Sequence, residues 1–217
     1  FFGKKNQIGN FFPPSAVYIH TRFLSSLNEL DIRSGIGEMA HYFFVSSKKD
    51  FLFFKKYYQY ALKRDQKSYL KLIYKSLDIK KKFIELDEFD KKERLILNYG
   101  HTFGHAIESI TDFKIPHGIA VANGMNIANY ISLNMKLISQ GEFDDMNLIL
   151  SEIYRNMKPK KIDTKKYIYQ LRKDKKNTNN NLTCILTNGI GKMFIRELKF
   201  DRNLFSILSK YTLNYLK

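Results

Sequence analysis

Residues 94–108 read RLILNYGHTFGHAIE, and residues 116–125 continue with PHGIAVANGM. His101 and His105 are four residues apart and therefore project from one face of a helix that begins near Gly100. His117 lies at the start of the next helix. Neutral imidazole is the commonest protein ligand for zinc and titrates near neutral pH. The spacing alone leaves open that two of these histidines merely begin helices and that the third lies in the core. Metalloprotease chemistry is not expected, since no glutamate is embedded in a His-Glu-x-x-His helix.

Around these motifs the apolar residues recur mostly with helical spacing, so we expect a mainly α fold. The predicted helices cover residues 35–46, 49–62, 66–86, 90–97, 101–111, 117–138, 142–155, 164–173 and 201–216. Two β-rich runs, 182–187 and 190–198, flank Asn188 and Gly189 and predict a hairpin. The apolar run at 16–19 reads as a short strand, and the polar stretch 174–181 as a surface loop.

Composition restricts the function classes. A chain of 217 residues is long enough for one large domain, or for one domain and a fragment of another. Its net charge is +16, but the lysines are scattered and no nucleic-acid recognition motif is present, so neither DNA nor RNA is an expected partner. No apolar stretch suggests a membrane span and no signal peptide is recognised at the start. The only cysteine, Cys184, fits a reducing compartment, so we expect a cytoplasmic protein.

The histidine strings closely resemble those of the 3-dehydroquinate synthase family. Its members carry Arg-x-x-x-Asn-x-Gly-His-Thr-Phe-Gly-His-Ala, followed by His-Gly at the spacing seen here. Residues 33–39, RSGIGEM, are similar to the segment in which the family supplies a glutamate ligand. The resemblance implies that Glu38, His101 and His117 hold a catalytic Zn or Co ion. It also implies a helical metal- and substrate-binding domain over 34–217, preceded at 1–33 by the end of an α/β NAD-binding domain.

Further matches assign roles to other residues by the same resemblance. Residues 5–9, 23–26 and 174–176 are similar to the family's Lys-Asn-Leu-Ile-Gly, Phe-Leu-x-Thr and Asp-Lys-Lys segments. Catalytic roles are implied for His105, Lys80 and Arg94. Substrate binding is implied for Asn6, Lys80, Arg94, Asn98, His105 and Lys175, and NAD binding for Lys5, Phe23, Leu24, Ser25 and Ser26.

Several of these residues have ordinary structural alternatives. Taken alone, Glu38 could be a surface carboxylate and Lys175 one of many solvated lysines. Arg94 could form a salt bridge with Glu93 or Asp90, and Asn98 could cap the helix that begins near Gly100. The joint match of the motifs outweighs these alternatives.

The resemblance implies a homodimeric, NAD- and metal-dependent lyase that converts 3-deoxy-arabino-heptulosonate 7-phosphate to 3-dehydroquinate and phosphate in aromatic amino acid biosynthesis. Two departures keep alternatives open. The family's glycine-rich NAD-binding region is not contained in the chain, so we do not expect the chain alone to hold NAD. His41 stands where the family usually has a substrate-contacting lysine. A cyclase for another sugar phosphate, such as sedoheptulose 7-phosphate or glucose 6-phosphate, and a non-catalytic homologue therefore remain possible. His41 could instead be a satisfied helix residue beside the pocket.

Overall fold

The computed structural model describes residues 8, 12, 14–155, 157, 162–173 and 181–215. Its elements are α1 (Glu29–Ser46), α2 (Lys48–Leu62), α3 (Gln66–Leu86), α4 (His101–Ile110), α5 (His117–Asn134), α6 (Gln140–Ile153), α7 (Thr164–Arg172), β1 (Asn181–Thr187), β2 (Met193–Lys199) and α8 (Arg202–Tyr215), with 3-10 helices at Thr21–Ser26 and Glu93–Asn98. The predicted mainly α fold is confirmed. In the described part of the chain, none of the helices is long and apolar enough to cross a membrane.

Helix α5 is the centre of the fold. Of its 18 residues, 14 are buried, and apolar or small side chains occur all round it. A helix that is apolar on every side can be stable only when it is surrounded by other elements. Helices α1, α4, α6 and α8 and strand β1 all pack against α5. The first residue of α5, His117, is thereby held in a fixed place between α1 and α4.

Side-chain caps determine where most helices begin. The Asn28 side chain accepts a hydrogen bond from the Asp31 backbone N–H and starts α1 at Glu29, earlier than the predicted residue 35. Ser139 and Glu142 form a reciprocal capping box at the start of α6. Because such caps satisfy backbone donors with local side chains, they fix helix boundaries independently of the apolar pattern.

Two sequence predictions about secondary structure are wrong. Residues 90–97 do not form an α-helix, because the Asp87 carboxylate accepts hydrogen bonds from the backbone N–H groups of Lys91, Lys92 and Arg94 and folds the segment into a turn. Only the 3-10 helix Glu93–Asn98 follows. Residues 16–19 are not a strand. Within the described residues the only sheet consists of β1 and β2, and residues 16–19 pair with neither strand.

The predicted hairpin is confirmed, although its turn is longer than an Asn-Gly pair. Strands β1 and β2 are antiparallel, with Thr187 opposite Met193, so residues 188–192 form the connection. The buried Thr187 hydroxyl donates to the Gly189 carbonyl at 2.6 Å and stabilises the turn. The Gly191 N–H donates to the Phe44 carbonyl of α1 at 2.9 Å. This second bond attaches the hairpin to the helix that carries Glu38.

Candidate metal centre

Three helices bring together one carboxylate and two imidazoles. Glu38 lies in the middle of α1, His101 is the first residue of α4, and His117 is the first residue of α5. The Oε2 atom of Glu38 is 3.8 Å from His101 Nε2 and 3.4 Å from His117 Nε2. One ligand atom from each residue lies within 4.8 Å of the other two. Residues that are far apart in the sequence thus face a common point.

Glycines next to the ligands allow the helices to approach closely enough for this convergence. A Cβ atom on Gly118 would lie 1.8 Å from the Ser34 carbonyl oxygen of α1. At the start of α4, Gly100 has φ +82°, and its carbonyl oxygen would be 2.0 Å from a Cβ on Gly124. No side chain fits at these contacts, so glycine is required where α5 crosses α1 and α4. His117 and His101 are the immediate neighbours of two of these glycines.

In each of the two ligand histidines, the ring nitrogen that does not face Glu38 lies next to a hydrogen-bond acceptor. His117 Nδ1 donates to the buried Glu108 carboxylate at 3.0 Å. His101 Nδ1 lies 3.3 Å from the Tyr99 carbonyl oxygen, an acceptor that fixes a proton on that nitrogen. Histidines that bind metals usually donate their other N–H to a carboxylate or a carbonyl in this way, which leaves Nε2 free for the ion.

The local electrostatics suit a cation. Burial alone would raise the pKa of Glu38, but the close contact with His117 and the charges of His41 and His101 lower that pKa to about 2. Burial lowers the pKa of His101 to about 4. The hydrogen bond to Glu108, helped by the contact with Glu38, raises the pKa of His117 to about 9. At neutral pH the carboxylate is therefore charged, His101 is neutral, and His117 holds a proton that a metal can displace.

The residues fit a divalent metal. Glu38 Oε2 is buried and has no hydrogen-bond partner among the described residues, although it points at both histidines. The charge of protonated His117 balances this oxygen at 3.4 Å, and a bound cation would take the place of that proton. Two imidazoles and one carboxylate form a common donor set of catalytic zinc sites, which keep a further position open. The predicted ligands are thus brought together with the donors that such a metal requires.

A second set of possible ligands shares His117. His105, Glu108 and His117 also offer atoms within 4.8 Å of one another. In this set, however, His117 Nδ1 and Glu108 Oε2 already form a hydrogen bond with each other at 3.0 Å. We therefore assign the metal to the set that contains Glu38, whose inward oxygen lacks such a bond.

The predicted catalytic residues His105, Lys80 and Arg94 have different surroundings. The exposed His105 ring is 5.6 Å from each of the His101 and His117 rings. Lys80 Nζ lies 6.0 Å from the ring of Tyr42, the residue that follows His41 on α1. Arg94 donates to the Glu88 carbonyl at 2.9 Å instead of to Glu93 or Asp90, and its charge acts on Tyr42, whose pKa is raised to about 12, chiefly by burial.

Asn98 does not cap α4, because Gly100 occupies the N-cap position and no side chain caps that helix. Its amide instead donates to the Leu95 carbonyl at 3.1 Å, inside the 3-10 helix. The side chain remains only partly buried, two residues before the α4 N-cap.

The predicted cofactor segment forms the first 3-10 helix. The Ser25 hydroxyl donates to the Arg22 carbonyl and the Ser26 hydroxyl to the Phe23 carbonyl. Leu24 and Ser25 border a cavity of about 190 Å³ that α1 and α3 close on the other side. A role of residues 23–26 in NAD binding stays a prediction. Lys5, Asn6 and Lys175 lie outside the described residues.

Two residues of the centre were not assigned a role from the sequence. Glu108 lies on the same face of α4 as His101 and His105, at positions i+7 and i+3, and this spacing could have revealed it. His41 lies one turn after Glu38, with Nδ1 4.0 Å from Glu38 Oε1. It is almost completely buried, and its Nδ1 makes no hydrogen bond of good geometry among the described residues, although the Glu38 backbone one turn earlier interacts with the ring.

Solved structures with the same fold are sugar phosphate cyclases. The chain superposes on 2-deoxy-scyllo-inosose synthase complexed with carbaglucose-6-phosphate, NAD+ and Co2+ with a TM-score of 0.78 and 24% identity, over 97% of this chain and 60% of that chain. It superposes on 2-epi-5-epi-valiolone synthase from Streptomyces hygroscopicus subsp. jinggangensis 5008, with NAD+ and Zn2+ bound, with a TM-score of 0.82 and 17% identity, over 98% of this chain and 60% of that chain. At these identities the likeness concerns the fold.

Sequence relatives are more specific. The 3-dehydroquinate synthase of Clostridium perfringens (strain 13 / Type A) is 36% identical over 193 residues, which cover 88% of this chain and 54% of the relative. The chain spans between 54% and 59% of the length of such relatives. The family profile described as 3-dehydroquinate synthase C-terminal matches residues 35–177 and thus includes Glu38, His101 and His117. Since this match extends over more than half of the chain, the chain belongs to the 3-dehydroquinate synthase C-terminal family.

Proposed function

We propose that this chain is the metal- and substrate-binding part of a 3-dehydroquinate synthase, a lyase that converts 3-deoxy-arabino-heptulosonate 7-phosphate to 3-dehydroquinate and phosphate. The observation that carries the proposal is the convergence of Glu38, His101 and His117 from three helices on one point. Relatives with the name 3-dehydroquinate synthase, which match most of the chain, support the reaction.

Two cofactors belong to this proposal. A Zn or Co ion held by Glu38, His101 and His117 would supply Lewis acidity, which lowers the pKa of a substrate hydroxyl. NAD would supply the hydride acceptor for the transient oxidation of that hydroxyl. The two similar cyclase structures, which hold NAD+ and Co2+ or Zn2+, support both cofactors. The contribution of this chain's own residues is to fix the metal ligands in place before substrate arrives.

Lys80 and Arg94 are proposed to bind the substrate carboxylate. Both cations act on the same part of α1: Lys80 lies over the Tyr42 ring, and the charge of Arg94 reaches Tyr42. Arg94 is only partly buried and keeps donors beyond the one that it directs to Glu88. A guanidinium and an ammonium that both act on Tyr42 match a carboxylate better than the neutral hydroxyl groups of sedoheptulose or glucose phosphates. We therefore favour the heptulosonate as the substrate.

His105 and Asn98 are proposed to bind the leaving phosphate. His105 follows the ligand His101 by one helical turn, and its exposed ring faces the rings of both ligand histidines. A group at this place can hold a phosphate beside the metal and donate a hydrogen bond to it as the phosphate departs. Asn6 and Lys175, outside the described residues, belong to this set by resemblance alone. A homodimer and a cytoplasmic location complete the proposal.

The test is phosphate release by the polypeptide that carries this chain, with NAD and Co2+ present. The heptulosonate, sedoheptulose 7-phosphate and glucose 6-phosphate should be compared as substrates, and we expect release from the heptulosonate only. K80M should lower kcat/KM for the heptulosonate by about 10-fold or more, the cost of one lost charged hydrogen bond. The matched control is K81M, since Lys81 is an exposed neighbour that pairs with Glu85.

Release from another sugar phosphate, without release from the heptulosonate, would favour a related cyclase. Metal binding without release from any of the three would favour a non-catalytic homologue. Equal losses in K80M and K81M would contradict the assignment of the carboxylate site.

A further inference from the structure

Each of the three metal ligands has one atom directed inward and one directed outward. The inward atoms are Nε2 of His101 and His117 and Oε2 of Glu38, which face one another at 3.4 to 3.8 Å. The outward nitrogens are held by the Tyr99 carbonyl and by Glu108, as described above. The outward oxygen of Glu38, Oε1, faces His41 Nδ1 at 4.0 Å. His41 thus occupies the place of the third outer support.

The His41 ring contacts the rings of His101 and Tyr42. It meets the His101 ring edge to face, with centroids 5.1 Å apart and an interplanar angle of 89°. On its other side it packs against Tyr42 at 3.9 Å. Only 2% of His41 is exposed, so the ring has no room to turn away from Glu38 and His101. It therefore contacts two ligands at once without reaching solvent.

Folding alone does not explain a histidine at this position. Its buried Nδ1 makes no hydrogen bond of good geometry among the described residues, since the Glu38 backbone one turn earlier interacts with it only weakly, and an unsatisfied group of this kind costs about 1–3 kcal/mol of stability. A leucine of similar size would avoid that cost. The separation of 4.0 Å from Oε1 is longer than a hydrogen bond, so His41 and the Glu38 carboxylate interact electrostatically.

We propose that His41 is a positioning residue of the metal centre, which holds the outward oxygen of Glu38 and the ring of His101 so that both are oriented for a divalent metal. The inference rests on the proposed function, because it requires a metal between Glu38, His101 and His117. At this position His41 would orient the ligands, whereas a lysine there would contact the substrate. His41 itself does not touch substrate.

The test measures zinc affinity of the whole chain by competition with a chromophoric chelator. H41L removes both ring nitrogens, H41Q keeps a polar group near the Nε2 position, and H41N keeps an amide nitrogen near the Nδ1 position. Loss of an outer partner of a ligand typically weakens metal binding by about 10–100-fold. We expect that loss in H41L and H41Q and an affinity close to that of wild type in H41N. H20L, which removes an exposed histidine, is the control.

The melting temperature of the metal-free protein separates positioning from packing. H41L should melt at the same temperature as wild type or higher, because it removes an unpartnered buried nitrogen, while the rise in Tm on adding zinc becomes smaller. Wild-type zinc affinity in H41L would overturn the inference and leave the proposed function intact. So would a lower metal-free Tm together with equal losses of affinity in all three variants. Zinc affinity that is absent in wild type, or unchanged in E38A, would overturn the metal centre and the inference together.

Discussion

Gly37 of α1 and Gly118 of α5 are in direct backbone contact. A Cβ atom on Gly37 would lie 2.2 Å from the Gly118 carbonyl oxygen, far inside van der Waals distance. Glu38 and His117 are the neighbours of these two glycines in the sequence. The distance between a carboxylate ligand and a histidine ligand is therefore set by how closely two helix backbones approach.

G118A should destabilise the protein and weaken metal binding together. The new methyl group would be 1.8 Å from the Ser34 carbonyl, so the helices must separate, at a cost of about 1–3 kcal/mol or more. G35A is the matched control, since nothing lies within 4 Å of its added methyl group. Alanine in the middle of α1 should raise stability by about 0.5–1 kcal/mol. Urea unfolding without metal measures the loss of stability in G118A and the gain in G35A. Equal stability of the two variants would contradict the close contact.

Above pH 9, where His117 has largely lost its second proton with or without Glu108, E108Q should weaken zinc binding by about 10–100-fold while zinc still binds through Glu38, His101 and His117. The neutral amide holds the His117 Nδ1 proton less strongly than the buried carboxylate does. Chelator competition measures the change. E85Q is the control, because Glu85 is an exposed acid that only pairs with Lys81 on α3. An affinity unchanged in E108Q would show that Glu108 does not orient His117.

Metal affinity should increase as the pH rises from 7 towards 9. The hydrogen bond to Glu108 and the contact with Glu38 raise the pKa of His117 to about 9, so at pH 7 an incoming metal must displace a proton. Below that pKa the logarithm of the affinity should rise by about one for each pH unit, and the increase should stop above it. His101, with a pKa lowered to about 4 by burial, adds no dependence in this range.

Isothermal titration with Co2+ at pH 7, in buffers of different ionisation enthalpy, counts the protons released. We expect about one proton per metal at pH 7 and almost none at pH 10. A release of none at pH 7 would mean that His117 is neutral in the metal-free protein.

Cys184 should not react with iodoacetamide at pH 8 in the native protein. The thiol is buried on β1, and burial raises its pKa to about 12, so almost no thiolate is present and no reagent reaches it. Mass spectrometry should detect labelling only after unfolding in urea. Rapid labelling of the native protein would contradict the packing of the hairpin against α5.

The three candidate ligands were implied by the resemblance of short motifs, at 33–39, 94–108 and 116–125, to one family, whereas spacing alone left other roles open for these histidines. His101, His105 and His117 stand in two short motifs, and helical spacing is enough to place the first two on one face. The role of Glu108 also lies in that spacing. The contact between Glu108 and His117 also requires the turn after α4, which brings His117 back to the face of α4 that carries Glu108. That turn depends on positive φ angles at Asp112 and Phe113, which spacing does not reveal.

Other features depend on contacts between distant segments and could not be predicted. His41 is buried with its ring against the ring of His101, sixty residues further along the chain, and the spacing within α1 does not reveal that contact. The failed helix at 90–97 has apolar spacing that favours a helix, but one carboxylate, Asp87, captures three backbone donors and outweighs that preference. The length of the hairpin turn is determined by its bond to Phe44.

That bond between Gly191 and Phe44 has a consequence for how the protein is made. Helix α1 leaves the ribosome before the hairpin that docks on it, because β1 and β2 lie more than a hundred residues further along the chain. Contacts between such distant segments form slowly, because a long loop must close first. We expect α1 of the nascent chain to stay incompletely docked until the hairpin has been synthesised, so that metal loading follows the synthesis of the hairpin instead of that of α1.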